Sequence, residues 1–361
     1  MQALVLAGGE GTRLRPLTYT TPKAVMPLAG RPFLSFMLDW LHGHGVDDVV
    51  LSCGFLSKGV RHVLGDIYQG MRLRYVVEEE PLGTAGPVRL ALDDGILEDR
   101  LVVTNGDVLS DLDLSAEVAW HEERGARATL ALVGVDDTGS YGVVPTDADG
   151  RVEAFLEKTE VEAPTNRINA GVYVLERDVL EAIPSGRAVS FEREVFPALV
   201  GEGLYGYAAE DPYWIDIGTP ERYLEATWDL LAGRVASSLP ARDETGSLIL
   251  GGSLVAGAHV GPQTVLGRSC SVGTDAHVER SVLHDRVVVG ADARVRESVL
   301  AERARVGEGA QVGPGAMVGE GASIGDGASV GEGARLDPGV EVEPGGRVLP
   351  GATVEAGAPA G

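Results

Sequence analysis

The sequence predicts an α/β domain built on a mixed, mostly parallel sheet, followed by a parallel β-helix. Three observations lead to this fold class. Segments typical of strands and helices alternate through the first part of the chain. All 19 aromatic residues lie at or before Trp228. In the last part of the chain, branched apolar residues recur at every sixth position.

The first region has the pattern of a Rossmann-like fold. Alternating strands and helices predict a mostly parallel sheet with helices on both faces, and ligands bind such sheets at the carboxyl ends of the strands. Apolar runs that fit strands span Ala3–Ala7, Asp48–Ser52, Leu73–Val77, Leu101–Thr104 and Ala128–Val135. Amphipathic stretches that fit helices surround Leu34, Met37, Leu38 and Leu41, and span Ser57–Leu64, Ala85–Leu92 and Ser115–Arg124.

The second region repeats every six residues. Branched residues from Val306 to Val354 stand six apart, and alanines from Ala304 to Ala334 precede the first six of them by two positions. The glycines do not fall at every third residue, which excludes collagen. We expect each hexad to form one short strand and one corner, with the branched residue pointing inward. Residues 248–361 hold about 19 hexads, or about six coils, with five-residue steps at 278 to 283 and 295 to 300.

Composition sets the domain boundaries that we expect. Residues 1–235 form the α/β domain, residues 236–247 a linker that contains Pro240, and residues 248–361 the β-helix.

The charge balance excludes several kinds of partner. The formal net charge is −24 over 361 residues, which argues against a nucleic-acid or anionic membrane surface. No apolar run approaches the length of ~18 residues that a membrane span needs, and no signal peptide is visible. Cys53 and Cys270 lie far apart in different regions, so we expect no disulfide and a cytoplasmic location.

A glycine loop follows the first predicted strand. It reads Leu6-Ala7-Gly8-Gly9-Glu10-Gly11-Thr12-Arg13, with Arg15 and Lys23 downstream. Glycines let backbone N–H groups approach a phosphate closely, and the basic side chains can neutralise a polyphosphate. A dinucleotide fingerprint is excluded because Leu14 stands at its third glycine, and a P-loop is excluded because Lys23 follows Pro22. The loop therefore predicts a nucleoside triphosphate site.

Motifs across the first region resemble those of the sugar-1-phosphate nucleotidyltransferases, and most closely the mannose-1-phosphate guanylyltransferases. A C-terminal left-handed β-helix also recurs in that family. The residues that carry the resemblance are Gly8 to Thr18, Pro22-Lys23, Glu80 to Gly86, Asn105 to Val108, Tyr141 to Val144, Glu157-Lys158, Asn169 to Tyr173, Glu194 to Pro197 and Trp214 to Gly218.

The resemblance implies transfer of a nucleotidyl group to a sugar 1-phosphate with release of pyrophosphate. Such chemistry depends on positioning and charge neutralisation. Arg13 is expected to bind the triphosphate and the departing pyrophosphate, and Lys23 to neutralise charge at the reacting phosphates. Asp107 and Asp216 are expected to hold Mg²⁺ together with phosphate oxygens.

The resemblance also assigns the sugar side. Lys158 is expected to hold the sugar phosphate, Glu157 and Asn169 to bond sugar hydroxyls, and Gly142 and Gly171 to allow close backbone approach. The family usually has proline after Glu-Lys, and here Thr159 stands there, which leaves the choice of sugar open.

The base is expected to be read at Glu78. Thymidylyltransferases place glutamine at the corresponding spacing, which suits thymine or uracil, whereas a carboxylate suits the N–H donors of guanine. This favours GTP, against the alternative that the three glutamates form a solvated loop. The full nucleotide-binding set is Leu6, Ala7, Gly8, Gly9, Gly11, Thr12, Arg13, Glu78, Pro81, Gly83, Thr84, Asn105 and Gly106.

The β-helix is expected to drive homo-oligomer formation. Its three histidines, His259, His277 and His284, show no shared pocket by their spacing and are interpreted as surface residues, which leaves acyltransferase activity as a minor alternative. For the whole chain, two alternatives to mannose-1-phosphate guanylyl transfer stay open. One is an enzyme for dTTP or UTP with glucose 1-phosphate, or with an unusual sugar or cyclitol phosphate. The other is a non-catalytic regulatory paralogue that binds NDP-sugar.

Overall fold

The computed structural model describes residues 1–54, 57–157, 163–237, 239–255 and 257–357, apart from the side chain of Glu157. Contacts divide the chain into two units. The first unit contains Met1–Glu10 and Leu34–Trp214, and the second contains Gly11–Phe33 and Ile215–Gly361. The chain therefore passes into the second unit within the glycine loop and returns at Leu34.

Strands and helices alternate up to Ala232, as the sequence predicts. The strands are β1 (Gln2–Leu6), β2 (Pro27–Leu28), β3 (Arg31–Pro32), β4 (Asp48–Cys53), β5 (Ile67–Tyr68), β6 (Met71–Val77), β7 (Arg100–Asn105), β8 (Val108–Ser110), β9 (Ala128–Gly134), β10 (Gly142–Val143), β11 (Leu156–Glu157), β12 (Arg167–Glu176), β13 (Leu204–Ala208) and β14 (Trp214–Asp216). The α-helices are α1 (Phe33–Gly43), α2 (Ser57–Leu64), α3 (Gly86–Asp93), α4 (Leu114–Arg124), α5 (Arg177–Ala182), α6 (Phe196–Leu199) and α7 (Pro220–Ala232). Short 3₁₀ turns span Thr12–Leu14, Leu17–Tyr19 and Lys23–Val25, and a π-helical turn spans Phe191–Val195.

The first unit is organised around one mixed sheet. Its order is β11-β10-β12-β7-β1-β4-β6-β5, with β9 beside β12 and β13 beside β9. The central strands β7, β1, β4 and β6 are parallel, and β12 runs antiparallel to β7. Leu4, Val50 and Val103 on these strands are fully buried, because helices cover both faces of a sheet of this kind. The predicted mostly parallel sheet is confirmed.

The second region is a left-handed parallel β-helix, as the six-residue period predicts. Its strands form three stacked sheets of seven, six and six strands in the part of the chain that the structure describes. They are β15 (Leu248–Ile249), β16 (Leu254–Val255), β17 (His259–Val260), β18 (Val265–Leu266), β19 (Ser271–Val272), β20 (His277–Glu279), β21 (Val282–Leu283), β22 (Val288–Val289), β23 (Arg294–Arg296), β24 (Val299–Leu300), β25 (Arg305–Val306), β26 (Gln311–Val312), β27 (Met317–Val318), β28 (Ser323–Ile324), β29 (Ser329–Val330), β30 (Arg335–Leu336), β31 (Glu341–Val342), β32 (Arg347–Val348) and β33 (Thr353–Val354).

Each coil places its branched residue inside the β-helix. Val306 and Ile324 are at most 2% exposed, and the alanines that precede them, Ala304 and Ala322, are fully buried. Small residues at these positions let the corners close against the core. The strands β20 and β23, which come just before the five-residue steps, are each one residue longer than their neighbours.

One face of the β-helix is apolar on its outside as well. Successive coils align Leu248, Val265, Val282, Val299 and Met317 in one outward column, and each of these side chains is at most 2% exposed. The hexapeptide period alone does not require apolar residues at an outward position. The column therefore identifies a face that packs against other parts of the protein.

Within the second unit, α7 and the segment Gly11–Phe33 contact this region of the β-helix. Arg335, the next position in the same column, donates from Nη1 to the carbonyl oxygens of Arg13 and Arg15 at 3.2 and 3.1 Å. The indole of Trp228 donates to the Arg280 carbonyl at 3.2 Å.

The surface interpretation of His284 is wrong. His284 is 8% exposed, and its Nε2 lies 3.1 Å from the hydroxyl of Tyr223 on α7. That hydroxyl donates to the Pro27 carbonyl, so its oxygen is left to accept from the histidine Nε2–H. Burial lowers the pKa of His284 to about 4. The histidine therefore joins the β-helix to α7 as a neutral donor.

The other two histidines of the β-helix are exposed, as expected, but they are neighbours. The rings of His259 and His277 stack with their centroids 4.5 Å apart, because the two residues occupy paired positions on successive coils. Their separation of 18 residues equals three hexads, so the sequence contained this signal.

Both cysteines are buried free thiols in the structure. Burial raises the pKa of Cys53 to about 12 and that of Cys270 to about 11. Among the described residues, none of the helices combines the length and the apolar character that a membrane crossing requires.

Candidate active site

The carboxyl ends of β1 and β7 lie side by side in the first unit. Leu6 pairs with Asn105 in the parallel register, and the Gly106 amide donates to the Leu6 carbonyl at 2.9 Å. A Cβ at Gly106 would lie 2.6 Å from that carbonyl oxygen, so only glycine fits there. The structure thus brings together the ends of two strands that the sequence predicts for nucleotide binding.

Glu78 lies against the glycine loop. One carboxylate oxygen accepts from the Ser52 hydroxyl at 2.7 Å, and the other accepts from the Leu82 amide at 3.1 Å. A Cβ at Gly8 would lie 2.7 Å from the first of these oxygens. A carboxylate offers about four lone-pair sites, so two stay available after these bonds. The alternative that Glu78 is a solvated loop residue does not fit this geometry, although its exposed neighbours Glu79 and Glu80 do fit it.

The segment after Glu78 is held by the π-helical turn. Gly83 has φ +75°, and a Cβ there would lie 2.5 Å from the Val189 carbonyl. The Thr84 hydroxyl donates to Glu192 at 2.7 Å and accepts from the Phe191 amide at 2.8 Å. These bonds use the hydroxyl of Thr84 to order the loop. Pro81 is exposed.

The predicted sugar side lies on β12 and β10 of the same unit. Asn169 donates from Nδ2 to the Tyr173 hydroxyl at 2.9 Å and accepts from the Gly171 amide at 3.0 Å. Gly171 has φ +75°, and a Cβ there would lie 2.5 Å from Asn105 Nδ2. Gly171 therefore brings β12 close to Asn105 at the end of β7. Gly142 on β10 faces the ring of Phe155, and a Cβ at Gly142 would lie 3.0 Å from Phe155 Cε1.

Sequence reasoning assigned no role to an aromatic pair beside these residues. The indole of Trp214 donates to the Ala170 carbonyl at 2.9 Å, between Asn169 and Gly171. Tyr141 packs edge-on against Trp214, with ring centroids 5.4 Å apart. The signal was present, because both aromatic residues belong to the motifs that carry the resemblance.

In the second unit, Gly11 and Lys23 are in contact. Gly11 begins a 3₁₀ turn with φ +62°, and its carbonyl accepts from the Thr18 hydroxyl and the Leu14 amide, each at 2.9 Å. A Cβ at Gly11 would lie 3.2 Å from Lys23 Cβ. The stem of Lys23 therefore packs directly on the glycine of the loop.

Arg13 and Asp216 meet at Gly218. A Cβ at Gly218 would lie 2.7 Å from Arg13 Nη2 and 3.1 Å from Asp216 Oδ2. Arg222 on α7 lies 3.6 Å from the other Asp216 oxygen. A guanidinium and a carboxylate are thus placed side by side, and the glycine leaves them the space. The backbone carbonyls of Arg13 and Arg15 are held by Arg335, a contact that the sequence did not reveal.

The two predicted metal ligands lie in different units. Asp107 follows the end of β7 in the first unit, and Asp216 ends β14 in the second. Both side chains are partly buried. In the ranges that the structure describes, no three His, Cys, Asp or Glu side chains form a cluster able to hold a metal.

Two predicted sugar-phosphate contacts cannot be placed. Lys158 and Thr159 lie outside the described residues, and so does the side chain of Glu157. The backbone of Glu157 pairs with Gly142 in the antiparallel β10–β11 ladder.

Comparison with known protein families assigns both regions. Residues 2–233 match the nucleotidyl transferase family. Residues 240–320 match the GlmU-like C-terminal hexapeptide family, and residues 303–338 match the bacterial transferase hexapeptide family of six repeats.

Several curated proteins are similar over most of the chain. A mannose-1-phosphate guanylyltransferase of Mycobacterium tuberculosis is 42% identical over 293 residues, which are 80% of this chain and 80% of that protein. A mannose-1-phosphate guanyltransferase of Saccharomyces cerevisiae is 35% identical over 262 residues, 71% of each chain. A UTP–glucose-1-phosphate uridylyltransferase of Synechocystis is 36% identical over 250 residues, covering 65% of this chain and 64% of that one.

Solved structures agree with these matches. HddC from Yersinia pseudotuberculosis, crystallised in complex with GMP-PN, is 28% identical with a TM-score of 0.53 and covers 63% of this chain and 99% of its own. The glycine loop after β1 and the neighbouring end of β7 lie within the range matched by the nucleotidyl transferase family, and the hexapeptide coils up to residue 338 lie within those of the two hexapeptide families. The chain belongs to the nucleotidyl transferase family.

Proposed function

We propose that this nucleotidyltransferase transfers GMP from GTP to mannose 1-phosphate, giving GDP-mannose and pyrophosphate. Relatives named mannose-1-phosphate guanylyltransferase at 35–42% identity support the proposal, and HddC was crystallised with GMP-PN, a guanine nucleotide by its name.

The observation that carries the choice of GTP is the carboxylate of Glu78. It is fixed by Ser52 and Leu82 against the glycine loop, and it offers acceptors only. Guanine presents N1–H and N2–H₂ donors, whereas uracil and thymine present a donor between two acceptors. A fixed carboxylate therefore discriminates in favour of guanine.

The reaction is an in-line displacement. A phosphate oxygen of the sugar 1-phosphate forms a bond to the α-phosphorus, the bond from that phosphorus to the bridging oxygen breaks, and pyrophosphate leaves with the electron pair. Two anions must approach each other in this step, so the residues of the site act chiefly by neutralising charge and by alignment.

Arg13 and Lys23 supply the positive charge on the protein side. The guanidinium of Arg13, placed beside Gly218, binds the triphosphate and the departing pyrophosphate. The ammonium of Lys23 extends from a stem packed on Gly11 and neutralises the reacting phosphates. On the sugar side, Lys158 binds the sugar phosphate, while Glu157, Asn169, Gly142 and Gly171 contact the sugar.

Enzymes of this family use a divalent metal, and we propose Mg²⁺ held by Asp107 and Asp216. The carboxylates fit, because Mg²⁺ in nucleotide enzymes takes one or two carboxylates and completes its shell with water and phosphate oxygens. When bound, the ion supplies charge neutralisation on the triphosphate.

We further propose that the protein is cytoplasmic and forms homo-oligomers through the β-helix. The exposed, regular coils offer flat faces for self-association. Light scattering on the full chain, compared with a chain that ends before Leu248, measures the contribution of the β-helix.

Uridylyl or thymidylyl transfer to glucose 1-phosphate is the second candidate, favoured by the Synechocystis relative. The deciding assay measures pyrophosphate release in Mg²⁺, with GTP, UTP, dTTP, ATP and CTP each paired with mannose 1-phosphate and glucose 1-phosphate. The proposal requires GTP with mannose 1-phosphate to be the fastest pair. A faster rate with UTP or dTTP and glucose 1-phosphate selects the second candidate. If no pair releases pyrophosphate, the substrate is another sugar phosphate or the protein is a regulatory paralogue.

Replacing Glu78 separates base recognition from loop ordering. Glu78→Gln is expected to lower kcat/KM for GTP at least tenfold relative to UTP, with Glu79→Gln as the control that removes an exposed charge next to it. If Glu78 only orders the loop, all nucleotides lose equally.

Replacing the aspartates tests the metal assignment. Asp107→Ala and Asp216→Ala are expected to abolish Mg²⁺-dependent turnover and leave the fold intact, whereas Asp99→Ala, at a side chain 94% exposed, keeps the activity. Rates like those of the unmodified enzyme in either of the first two variants contradict the assignment.

A further inference from the structure

The β-helix carries a groove that the proposed reaction does not use. The groove has a volume of about 680 Å³ and runs along the face formed by β20, β23, β26, β29 and β32. Three arginines line it, Arg294, Arg296 and Arg347, and we call it the arginine groove. Its lining belongs entirely to the second unit.

The register of the coils fixes the order of side chains along the groove. One outward column runs through His277, Arg294, Gln311, Ser329 and Arg347 on successive coils. Neighbouring strands lie about 4.8 Å apart, so the backbone positions of Arg294 and Arg347, three strands apart, are about 14 Å from each other. The groove therefore has positive charge at two places, with neutral hydrogen-bonding groups between them.

Arg296 strengthens the first of these places. It stands two residues after Arg294 on β23, so both side chains point outward from the same strand, about 7 Å apart at the backbone. Two guanidinium groups at this spacing can bind one phosphate from two sides.

The arginines of the groove have no bonded partner in the part of the chain that the structure describes. Among the described residues, the guanidinium groups of Arg294, Arg296 and Arg347 form no hydrogen bond or ion pair. Other arginines of the same β-helix do, since Arg286 pairs with Glu302 and Arg303 with Glu320. In a chain with 54 acidic and 30 basic residues, three arginines without carboxylate partners on one face form a local reversal of charge.

The residues that line the groove carry a net positive charge, and two glycines among them account for its concave shape. Glu279 is the one carboxylate among the described lining residues, so three arginines and one glutamate leave two positive charges. In the column that contains Glu279 and Arg296, the next positions are Gly313 and Gly331, whose missing side chains open the floor. A volume of this size suits a small molecule rather than a single ion.

We propose that the arginine groove binds a small molecule that carries at least two phosphate groups. Arg294 and Arg296 hold one anionic end, Arg347 holds the other, and Gln311 and Ser329 donate hydrogen bonds to the part between them. This site is separate in sequence from every residue assigned to the nucleotidyl transfer reaction.

The test uses inorganic tripolyphosphate as the probe and the full chain in Mg²⁺-free buffer. Phenylglyoxal modifies accessible arginines, and mass spectrometry of the digest reports each arginine separately, so the groove is distinguished from Arg13. We expect tripolyphosphate to slow modification of Arg294, Arg296 and Arg347 at least fivefold, and added salt to reduce this protection. Unchanged modification rates at the three arginines overturn the proposal.

Calorimetry with variants gives the second measurement. Arg294→Gln/Arg296→Gln is expected to remove one tripolyphosphate site per chain, or to raise its Kd at least tenfold. Arg305→Gln is the matched control, because Arg305 occupies the same strand position on the neighbouring face and is also exposed. Equal binding by the double variant and the control overturns the proposal. A smaller assembly of the double variant in light scattering, without probe, also overturns it in favour of an interface between copies.

Discussion

The contact between His284 and Tyr223 makes the stability of the second unit dependent on pH. His284 is neutral in the folded protein because burial lowers its pKa to about 4, with Asp285 offsetting part of that effect. In the unfolded chain its pKa returns to about 6.5. The unfolded state therefore takes up the proton first, and stability is lost as the pH falls from about 6.5 towards 4.

The two pKa values determine the size of the effect. Between pH 7.5 and pH 5, the proton bound by unfolded His284 destabilises the fold by about 2 kcal/mol, and the loss reaches about 3 kcal/mol below pH 4. A His284→Gln variant keeps a hydrogen-bond donor for the Tyr223 oxygen but cannot titrate in this range. Between pH 7.5 and pH 5, we expect the free energy of unfolding of this variant to fall by about 2 kcal/mol less than that of the unmodified protein.

Urea titrations followed by tryptophan fluorescence at pH 7.5, 6 and 5 measure this difference. Trp228 reports on the second unit directly, because its indole bonds to Arg280. The difference between the free energies of unfolding of the unmodified protein and the variant removes the contribution of the carboxylates, because these titrate in both proteins. His277→Gln, at an exposed histidine, is the control. Parallel stability profiles for His284→Gln and the unmodified protein, within 0.5 kcal/mol or so, refute the reasoning.

Three further predictions follow from buried or crowded positions. Glu117 is fully buried with no partner for either carboxylate oxygen among the described residues, and burial raises its pKa well above the usual range. Glu117→Gln should therefore gain stability relative to the unmodified protein as the pH rises above about 4.5, by up to about 1.4 kcal/mol per pH unit. Thermal melts from pH 5 to 8 measure this gain. Gly218→Ala would place a methyl group 2.7 Å from Arg13 Nη2, so kcat/KM for the nucleotide should fall at least tenfold with little change in melting temperature. Gly171→Ala combines φ +75° with a clash against Asn105, so it should cost at least about 1–2 kcal/mol of stability and raise the KM for the sugar 1-phosphate. A normal melting temperature for Gly171→Ala, or normal kinetics for Gly218→Ala, contradicts the corresponding prediction.

Periodicity in the sequence predicted both kinds of architecture. Leu4, Val50 and Val103 belong to short apolar runs between amphipathic helices, and such runs form the parallel centre of the sheet. The six-residue period placed Val306 and Ile324 inside the β-helix for the same reason, because local spacing alone determines which side chains point inward.

Contacts made on the outside of a regular element could not be predicted in the same way. Met317 stands at an outward position and is nevertheless fully buried, and the period does not say what covers it. Likewise, the motif containing Arg13 indicated phosphate chemistry, but its support by Arg335 spans 322 residues. The sequence predicted that Asn105 and Gly171 belong to the same site, but not that they are in contact. That contact depends on the antiparallel pairing of β7 with β12, two strands far apart in the sequence.

The division of the N-terminal segment between the two units has a consequence during synthesis. Residues 11–33 leave the ribosome well before the elements that they contact in the second unit, which are α7 and the coil of Arg335. At about 5–20 residues per second, the segment with Arg13 and Lys23 waits about 15–60 s before those coils emerge. The first unit can pair its strands in that interval, whereas the segment with Arg13 and Lys23 reaches its final environment only after the coil of Arg335 has emerged.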